Sequence, residues 1–288
     1  MTEFVTLVDV SPRDGLQNEA AIVPTADKIA LVDLLSAAGF RRIEAASFVS
    51  ARRVPQMADG AAVLAGIRRR AGVRYAALTP NLRGYEAARA AGADEVAIFA
   101  SASESFSQAN LTCSITESLD RFAPIFDAAR ADGLPVRGYV SCVTDCPFEG
   151  PVAPAAVADL ARHLADAGCG EISLGDTIGA ATPQTVAPLL DAVLAWVPAD
   201  RLAGHFHDTR GRALDNIDVA LACGLRVFDV SVAGLGGCPF APGAAGNVDA
   251  ERTVAHLRER GFETGIDEAA LARAAALARR LVRPEAAA

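Results

Sequence analysis

Two histidines separated by one residue, His205 and His207, close a short apolar segment and are the strongest candidates for chemistry in the chain. Because successive side chains of a β-strand point to opposite faces, both imidazoles would project from one face, with their Cα atoms roughly 7 Å apart. Imidazoles bind divalent transition metals, and nearby carboxylate or amide oxygens would make the site tolerant of Mg²⁺ or Mn²⁺. Two ordinary structural histidines give the same pattern, so the prediction of a metal site depends on whether the chain offers further ligands.

Candidate partners occur where other strand-like segments end. Residues 4–10 predict a buried strand, and the turn-forming residues that follow include Asp14. Residues 226–233 predict another strand, followed by a glycine-rich loop at 234–239 whose backbone could approach a ligand closely. Asn247 comes after that loop. One carboxylate, two imidazoles and one amide would form a mixed set of oxygen and nitrogen ligands with room for substrate oxygens.

Strand-like segments alternate with Ala- and Leu-rich helical segments along the whole chain, for example the helices predicted at 26–39 and 154–168. The strands are predicted to end near Val10, Ser47, Thr79, Ser101, Cys142, Asp176, Asp208 and Gly234. Eight such units predict an α/β fold, a (β/α)₈ barrel, as a single domain over residues 1–288. An open doubly wound sheet is the alternative, although no Gly-x-Gly-x-x-Gly opens the first helix.

Active sites of such barrels lie at the carboxyl ends of the strands. A barrel would therefore bring six polar residues to one mouth: Arg13, Asp14, Glu44, Asp176, His205 and His207.

Composition excludes several other classes of protein. A net charge of −8 and a pI near 5.1 argue against nonspecific nucleic-acid binding. No apolar segment of about 18 residues predicts a membrane span, and no targeting segment precedes the first strand. Six cysteines in 288 residues are typical of a reducing cytoplasm rather than of a disulfide framework. Cys142 and Cys146 could suggest zinc, but no second pair completes that site.

Five segments carry motifs that are recognisable together. They are Ser-Pro-Arg-Asp-Gly-Leu-Gln-Asn-Glu at 11–19, Ile-Glu-Ala-Ala-Ser-Phe-Val-Ser at 43–50, Arg-Gly-Tyr-Val-Ser-Cys at 137–142, Ser-Leu-Gly-Asp-Thr-Ile-Gly at 173–179 and Gly-Leu-Gly-Gly-Cys-Pro-Phe at 234–240. From about residue 5 to about residue 265, the chain resembles the 3-hydroxy-3-methylglutaryl-CoA (HMG-CoA) lyase family of metal-dependent barrel enzymes. The last motif narrows the resemblance to the lyases.

The resemblance implies a role for each matching residue. Asp14, His205, His207 and Asn247 match ligands of a divalent metal, Mg²⁺ or Mn²⁺. Arg13 matches the arginine that polarises the thioester carbonyl, with Gln17 supporting it at the substrate, while Glu44, Asp176 and Cys238 match groups involved in positioning or proton transfer. Two departures are Ser50-Ala51-Arg52-Arg53, where the family often has Ser-Pro-Lys-Trp, and Phe206, which replaces a cysteine of animal enzymes and should face away from the metal.

The implied reaction is retro-Claisen cleavage of the CoA thioester substrate HMG-CoA to acetoacetate and acetyl-CoA. We expect a cytoplasmic homo-oligomer, in the first place a dimer, without nucleic-acid or membrane partners. Lyases for other 3-hydroxy-3-alkylglutaryl-CoA thioesters and Claisen condensing enzymes of the isopropylmalate or homocitrate synthase type are the catalytic alternatives. A non-catalytic barrel should lack Arg13 or Asp14. A zinc hydrolase of the amidohydrolase type would carry His-x-His on the first strand.

Overall fold

A closed barrel of eight parallel strands forms the centre of the molecule. A computed structural model describes residues 3–237 and 246–282. The barrel strands are Thr6–Asp9 (β1), Arg42–Ser47 (β2), Arg74–Leu78 (β3), Glu95–Ser101 (β4), Val136–Ser141 (β5), Glu171–Asp176 (β8), Leu202–Phe206 (β9) and Val227–Val230 (β10). A short hairpin, Asp145–Cys146 (β6) and Gly150–Pro151 (β7), follows β5. Around the barrel the strand order is β1-β10-β9-β8-β5-β4-β3-β2, so the first and last strands close it.

Helices connect the strands and pack outside them. Their bounds are Thr25–Ala38 (α1), Gly60–Gly66 (α2), Leu82–Ala90 (α3), Glu104–Leu111 (α4), Ile115–Asp132 (α5), Pro154–Ala167 (α6), Pro183–Leu194 (α7), Ala213–Ala222 (α8), Ala250–Glu259 (α9) and Glu268–Val282 (α10). Their ends follow local chemistry: a capping box of Ser114 and Glu117 begins α5, and prolines occupy the first turns of α6 and α7. None of the helices in the described part of the chain combines the length and apolar character that crossing a bilayer requires.

The predicted (β/α)₈ architecture is confirmed, with one notable difference at the last strand. Six of the predicted strand ends lie within one residue of the observed ones, and the helices predicted at 26–39 and 154–168 are displaced by one residue or less at each end. β10, however, ends at Val230 rather than near Gly234. The chain turns there through a left-handed residue, Ala233 (φ 57°), whose backbone N–H donates to Glu251 at 3.0 Å.

Charged side chains, rather than only aliphatic ones, fill the barrel interior. Side chains two residues apart on one strand share a face, so Arg137 and Tyr139 of β5 both point inward. A chain of ion pairs links Arg42 to Glu95 and Glu171, Glu171 to Arg137, and Arg137 to Asp229. Phe206 instead belongs to the main apolar core, as expected for the residue between the two histidines. The barrel interior is thus a paired polar column beneath the carboxyl-terminal mouth.

Candidate metal centre and active site

The two imidazoles meet at the top of this column. His205 lies on the inner face of β9, and His207 lies just beyond the strand end, where its backbone pairs with that of Asn247. Both rings are buried, and their Nε2 atoms are 3.3 Å apart. Burial and the neighbouring His205 lower the pKa of His207 to about 4, so its imidazole is neutral at physiological pH.

Asp14 completes a cluster of three potential ligands. It lies in a π-helical turn, Ser11–Gly15, that follows β1 and aims Arg13 and Asp14 at the mouth. One carboxylate oxygen of Asp14 and one ring nitrogen of each histidine lie within 4.8 Å of one another. Burial alone would raise the pKa of Asp14, but Arg13 and the two histidines lower it to about 2. The carboxylate is therefore ionised and available as a ligand.

Asn247 reaches the same point from the other end of the chain. Its amide Nδ2 donates to Asp14 Oδ2 at 2.8 Å and to the carbonyl oxygen of Leu235 at 3.0 Å. Gly236 permits this approach, because its φ is 122° and a Cβ atom there would lie 2.5 Å from Nδ2 of Asn247. The glycine-rich loop therefore packs its backbone against a candidate ligand.

The donor set fits a divalent cation. Oδ1 of Asn247 and Nδ1 of His207 are buried and have no hydrogen-bond partner among the described residues. When both neutral rings are protonated at Nδ1, the lone pairs of the two Nε2 atoms point at the same space. A buried polar group without a partner is costly, and a cation ligated by Oδ1 of Asn247 together with Asp14 and the two Nε2 atoms would remove that cost at Oδ1.

Arg13 is held rigidly beside this cluster. Its Nε donates to Oε2 of Glu44 at 2.6 Å, its Nη2 forms an ion pair with the same oxygen at 2.5 Å, and its Nη1 donates to Asp14 at 2.5 Å. Tyr139 hydroxyl also lies 3.3 Å from Oε2 of Glu44, and the guanidinium carbon of Arg13 lies 5.5 Å from the Tyr139 ring centroid. Burial raises the pKa of Glu44, opposed mainly by the charge of Arg13. Glu44 thus fixes the plane of the guanidinium.

The remaining predicted site residues occupy different positions. Gln17 lines the cavity at the mouth. Both oxygens of Asp176 accept backbone N–H groups, from Ala180 at 3.0 Å and Ala181 at 3.1 Å, and burial raises its pKa to about 6. Asp176 therefore shapes the loop after β8. Cys238 lies outside the described residues.

Three residues at the site, Tyr139, Arg137 and Asp229, are not among the predicted site residues. Tyr139 connects Glu44 to Arg137, whose Nη1 donates to the Tyr139 hydroxyl at 2.7 Å. Asp229 lies 3.1 Å from Nδ1 of His205. The available signal was a charged residue at an inward position of an otherwise apolar strand, as with Asp229 among Val227, Phe228 and Val230.

A cavity of about 380 Å³ lies at the mouth of the barrel, next to the histidine pair. Its polar end carries Arg13, Asp14, Gln17, His205 and His207, while Glu44, Asp176 and Asn247 do not line it. Its lining also includes four apolar side chains and two cations, which are Leu78, Phe99, Phe106, Leu111, Arg53 and Arg121. A ligand with an anionic, oxygen-rich end and an apolar body would match this distribution.

A fixed guanidinium next to a carboxylate, two imidazoles and an amide, at the carboxyl mouth of a (β/α)₈ barrel, defines a barrel enzyme of the divalent-metal type. A family model described as HMGL-like matches residues 4–278, and the chain belongs to this family.

Individual relatives agree with this assignment. The 3-hydroxy-3-isohexenylglutaryl-CoA/hydroxy-methylglutaryl-CoA lyase of Pseudomonas aeruginosa is 57% identical over 267 residues, 93% of this chain and 89% of the relative. The cytoplasmic 3-hydroxy-3-methylglutaryl-CoA lyase of Danio rerio is 57% identical over 92% of this chain and 79% of the relative. The crystal structure of the HMG-CoA lyase from Brucella melitensis has a TM-score of 0.96 at 61% identity, covering 97% of this chain and 99% of that one. The family inferred from the five motifs is confirmed.

A second buried carboxylate supports the turn that carries Arg13 and Asp14. Asp9 is fully buried at the end of β1, and its Oδ1 accepts the backbone N–H of Ser11 at 2.9 Å. The Ser11 hydroxyl in turn accepts the backbone N–H of Val232 at 2.8 Å. Oδ2 of Asp9 has no partner among the described residues, and burial raises the pKa of Asp9 to about 7. Asp9 thus links the first strand to the last through Ser11, although burying its carboxyl group is unfavourable.

Replacing this acid should change how stability depends on pH. Between about pH 4 and pH 7, Asp9 is protonated in the folded state but ionised in the unfolded state. The free energy of unfolding therefore falls as the pH rises through this range, by at most about 1.4 kcal/mol per pH unit from this residue. Asp9→Asn should gain stability relative to the parent from pH 5 to pH 8, as measured by urea unfolding. Asp127→Asn, at an exposed position of α5, controls for the substitution itself. Parallel curves for Asp9→Asn and the parent would contradict the expectation.

Proposed function

We propose that this protein cleaves the C2–C3 bond of HMG-CoA in a retro-Claisen reaction that yields acetoacetate and acetyl-CoA. The observation that carries the proposal is the convergence of Arg13 with Asp14, His205 and His207 in one cavity. The metal-type cluster suits the hydroxyl and carboxylate oxygens of the substrate, and the adjacent guanidinium suits its thioester oxygen. The names of the relatives support the same reaction.

We propose Mg²⁺ or Mn²⁺ as the resident ion, held by Asp14, His205, His207 and Asn247. Two oxygen ligands favour these hard ions over zinc, whose protein sites are rich in sulfur and nitrogen. Such a cation supplies Lewis acidity, which lowers the pKa of an alcohol and stabilises negative charge on oxygen.

Arg13 stabilises the charge that bond cleavage produces. The C3 hydroxyl gives its proton to a base, a role for which Asp176 is the predicted carboxylate, and its C–O bond becomes the ketone of acetoacetate. The electron pair of the C2–C3 bond moves onto C2 and is delocalised to the thioester oxygen as an enolate. A guanidinium has five N–H donors, and hydrogen bonds to Glu44 and Asp14 engage two of those of Arg13. The rest remain for the developing oxyanion, where a fixed donor is most effective. Glu44 acts as a positioning residue, because it orients Arg13 from outside the cavity.

Protonation of C2 completes the reaction. Cys238, on the glycine-rich loop, remains the predicted acid, because a thiol on a loop that closes over the substrate could deliver the proton in a site shielded from water. Asp176 remains a prediction for catalysis, supported by its pKa near 6 and by its position behind the mouth.

We place the CoA portion of the substrate beside Arg53 and Arg121, which line the same cavity. Arg53 lies 3.4 Å from the Thr112 hydroxyl, and Arg121 donates to the Leu111 carbonyl oxygen at 3.3 Å. Both cations therefore contact the carboxyl end of α4. We assign them to the CoA phosphates, because guanidinium groups bind phosphate through paired donors.

A broader substrate range is the second candidate. The apolar wall formed by Leu78, Phe99 and Phe106 could contact a 3-alkyl group longer than methyl. The P. aeruginosa relative is named for such a substrate. A cytoplasmic location and a homodimer stay predictions.

The proposed reaction can be tested by following acetyl-CoA release from HMG-CoA. We expect turnover with Mg²⁺ or Mn²⁺, loss after chelation and recovery when either ion returns. His207→Ala should weaken Mn²⁺ binding while circular dichroism stays native, because the barrel core lies below the mouth. The isohexenyl analogue in the same assay measures the substrate range. Full activity in a metal-free sample, or condensation of acetyl-CoA with 2-oxo acids as the faster reaction, would contradict the proposal.

The role of Arg13 predicts a specific kinetic effect. Arg13→Lys keeps a charge but loses the planar fork that Glu44 orients, so kcat should fall at least about 100-fold with a modest change in KM. Arg41→Lys makes the same substitution at an exposed site before β2, at the opposite end of the barrel, and should leave kcat unchanged. Equal kcat in Arg13→Lys and the parent would remove Arg13 from the mechanism.

A further inference from the structure

A fully buried carboxylate lies directly behind one of the two site imidazoles. Asp229 is on β10, and its Cα pairs in register with that of His205 on the neighbouring strand β9. Its Oδ2 lies 3.1 Å from Nδ1 of His205, on the side of the ring away from the cavity. Asp229 is 1% exposed and does not line the cavity.

Both oxygens of this carboxylate are fixed by other groups. Arg137 donates through Nη2 to Oδ1 at 2.8 Å and through Nη1 to Oδ2 at 3.1 Å, in a two-point pairing. The Ser173 hydroxyl donates to Oδ2 at 2.8 Å. Paired guanidinium donors hold a carboxylate in one plane and keep it ionised. Asp229 therefore offers His205 an acceptor whose position cannot drift.

An ionised carboxylate can only accept hydrogen bonds, so Nδ1 of a neutral His205 must carry the proton. The lone pair of that ring is then on Nε2, which points toward Nε2 of His207 and the site. His207 differs, because its Nδ1 has no hydrogen-bond partner in the described ranges 3–237 and 246–282. One imidazole of the centre is thus oriented from behind, whereas the other has no such support.

We propose that Asp229 is a positioning residue that fixes the tautomer and ring orientation of His205, with Arg137 and Ser173 fixing Asp229 in turn. The inference rests on the metal centre of the proposed function, since it concerns the lone pair that His205 presents to a cation. A carboxylate behind a ligating histidine also makes the ring more basic, and loss of such a partner weakens metal binding about 10- to 100-fold.

Asp229→Asn is a discriminating substitution because it conserves shape and reverses the hydrogen bonding. Arg137 has only donors, so the amide oxygen of the new side chain must face the guanidinium. The amide NH₂ then faces His205 and requires an acceptor at Nδ1, which moves the ring proton to Nε2 and removes the lone pair from the site. We expect Mn²⁺ affinity, measured by electron paramagnetic resonance without substrate, to fall at least about 10-fold.

A matched control exists elsewhere in the chain. Asp218 pairs with His256 at 2.9 Å, remote from the mouth, so Asp218→Asn removes a histidine-bound carboxylate without touching the site. Its Mn²⁺ affinity should equal that of the parent. An Asp229→Asn protein that is folded by circular dichroism and binds Mn²⁺ as tightly as the parent would overturn the inference. Equal losses in both variants would also overturn it, because they would reflect general destabilisation.

A second measurement needs neither the Asp229 substitution nor a metal. The chain has four histidines, so replacing His163 and His256 with Gln leaves only the site pair for ¹⁵N NMR. Neutral His205 should be protonated at Nδ1, and the opposite tautomer would overturn the proposal even if Asp229→Asn does not fold. Failure of the proposed function is separately visible, because the parent would then bind no Mn²⁺ or release no acetyl-CoA while the tautomer of His205 is still observed.

Discussion

The guanidinium of Arg137, enclosed at the centre of the barrel, is the group on which the other buried charges depend. It donates to Tyr139, to both oxygens of Asp229 and, through Nε, to Glu171 at 2.7 Å. An ion inside a protein is tolerated only when it is paired and hydrogen-bonded, and removal of one partner from such a pair typically costs about 3–5 kcal/mol. The network therefore has to form as a whole when the barrel closes.

A polar interior has a consequence for the site that an aliphatic one would lack. Most barrels of this class fill their interior with layers of branched apolar side chains, whose contacts are not directional. Here hydrogen bonds with defined geometry extend from Arg42, near the lower mouth, to His205 at the upper one. The inward side chains of five strands, β2, β4, β5, β8 and β10, contribute to this column. The groups at the mouth are consequently held in place before a ligand arrives.

The loop-borne groups depend on a different contact, the pairing of the first and last strands. Asp14 follows β1 and Asn247 follows β10, yet their side chains are hydrogen-bonded across 233 residues of sequence. Asp9, Ser11 and Val232 connect the same two strands immediately below. Closure of the barrel thus assembles the metal centre. If β1 and β10 were not paired, Asp14 would be separated from the other three proposed ligands. Arg13 shares this dependence, since its turn is anchored at the seam, but Glu44 on β2 fixes its final orientation.

The sequence by itself determined the repeating strands and helices, because periodicity and end signals are local properties of the chain. It also determined which residues stand at strand ends, and the motifs around Arg13, Glu44 and His205 were sufficient to indicate the family.

Other features were decided by tertiary structure. Asp229 resembles any buried acid in an apolar strand until β9 pairs with β10 and places it behind His205. The sequence marked Glu44 as a site residue, but its role in orienting Arg13 is set by their contact. Likewise, the early end of β10 follows from the contact between Ala233 and Glu251 rather than from its apolar pattern. The physical reason is that strand patterns fix which face a side chain occupies, whereas the partner on that face is set by how distant strands pair when the barrel closes.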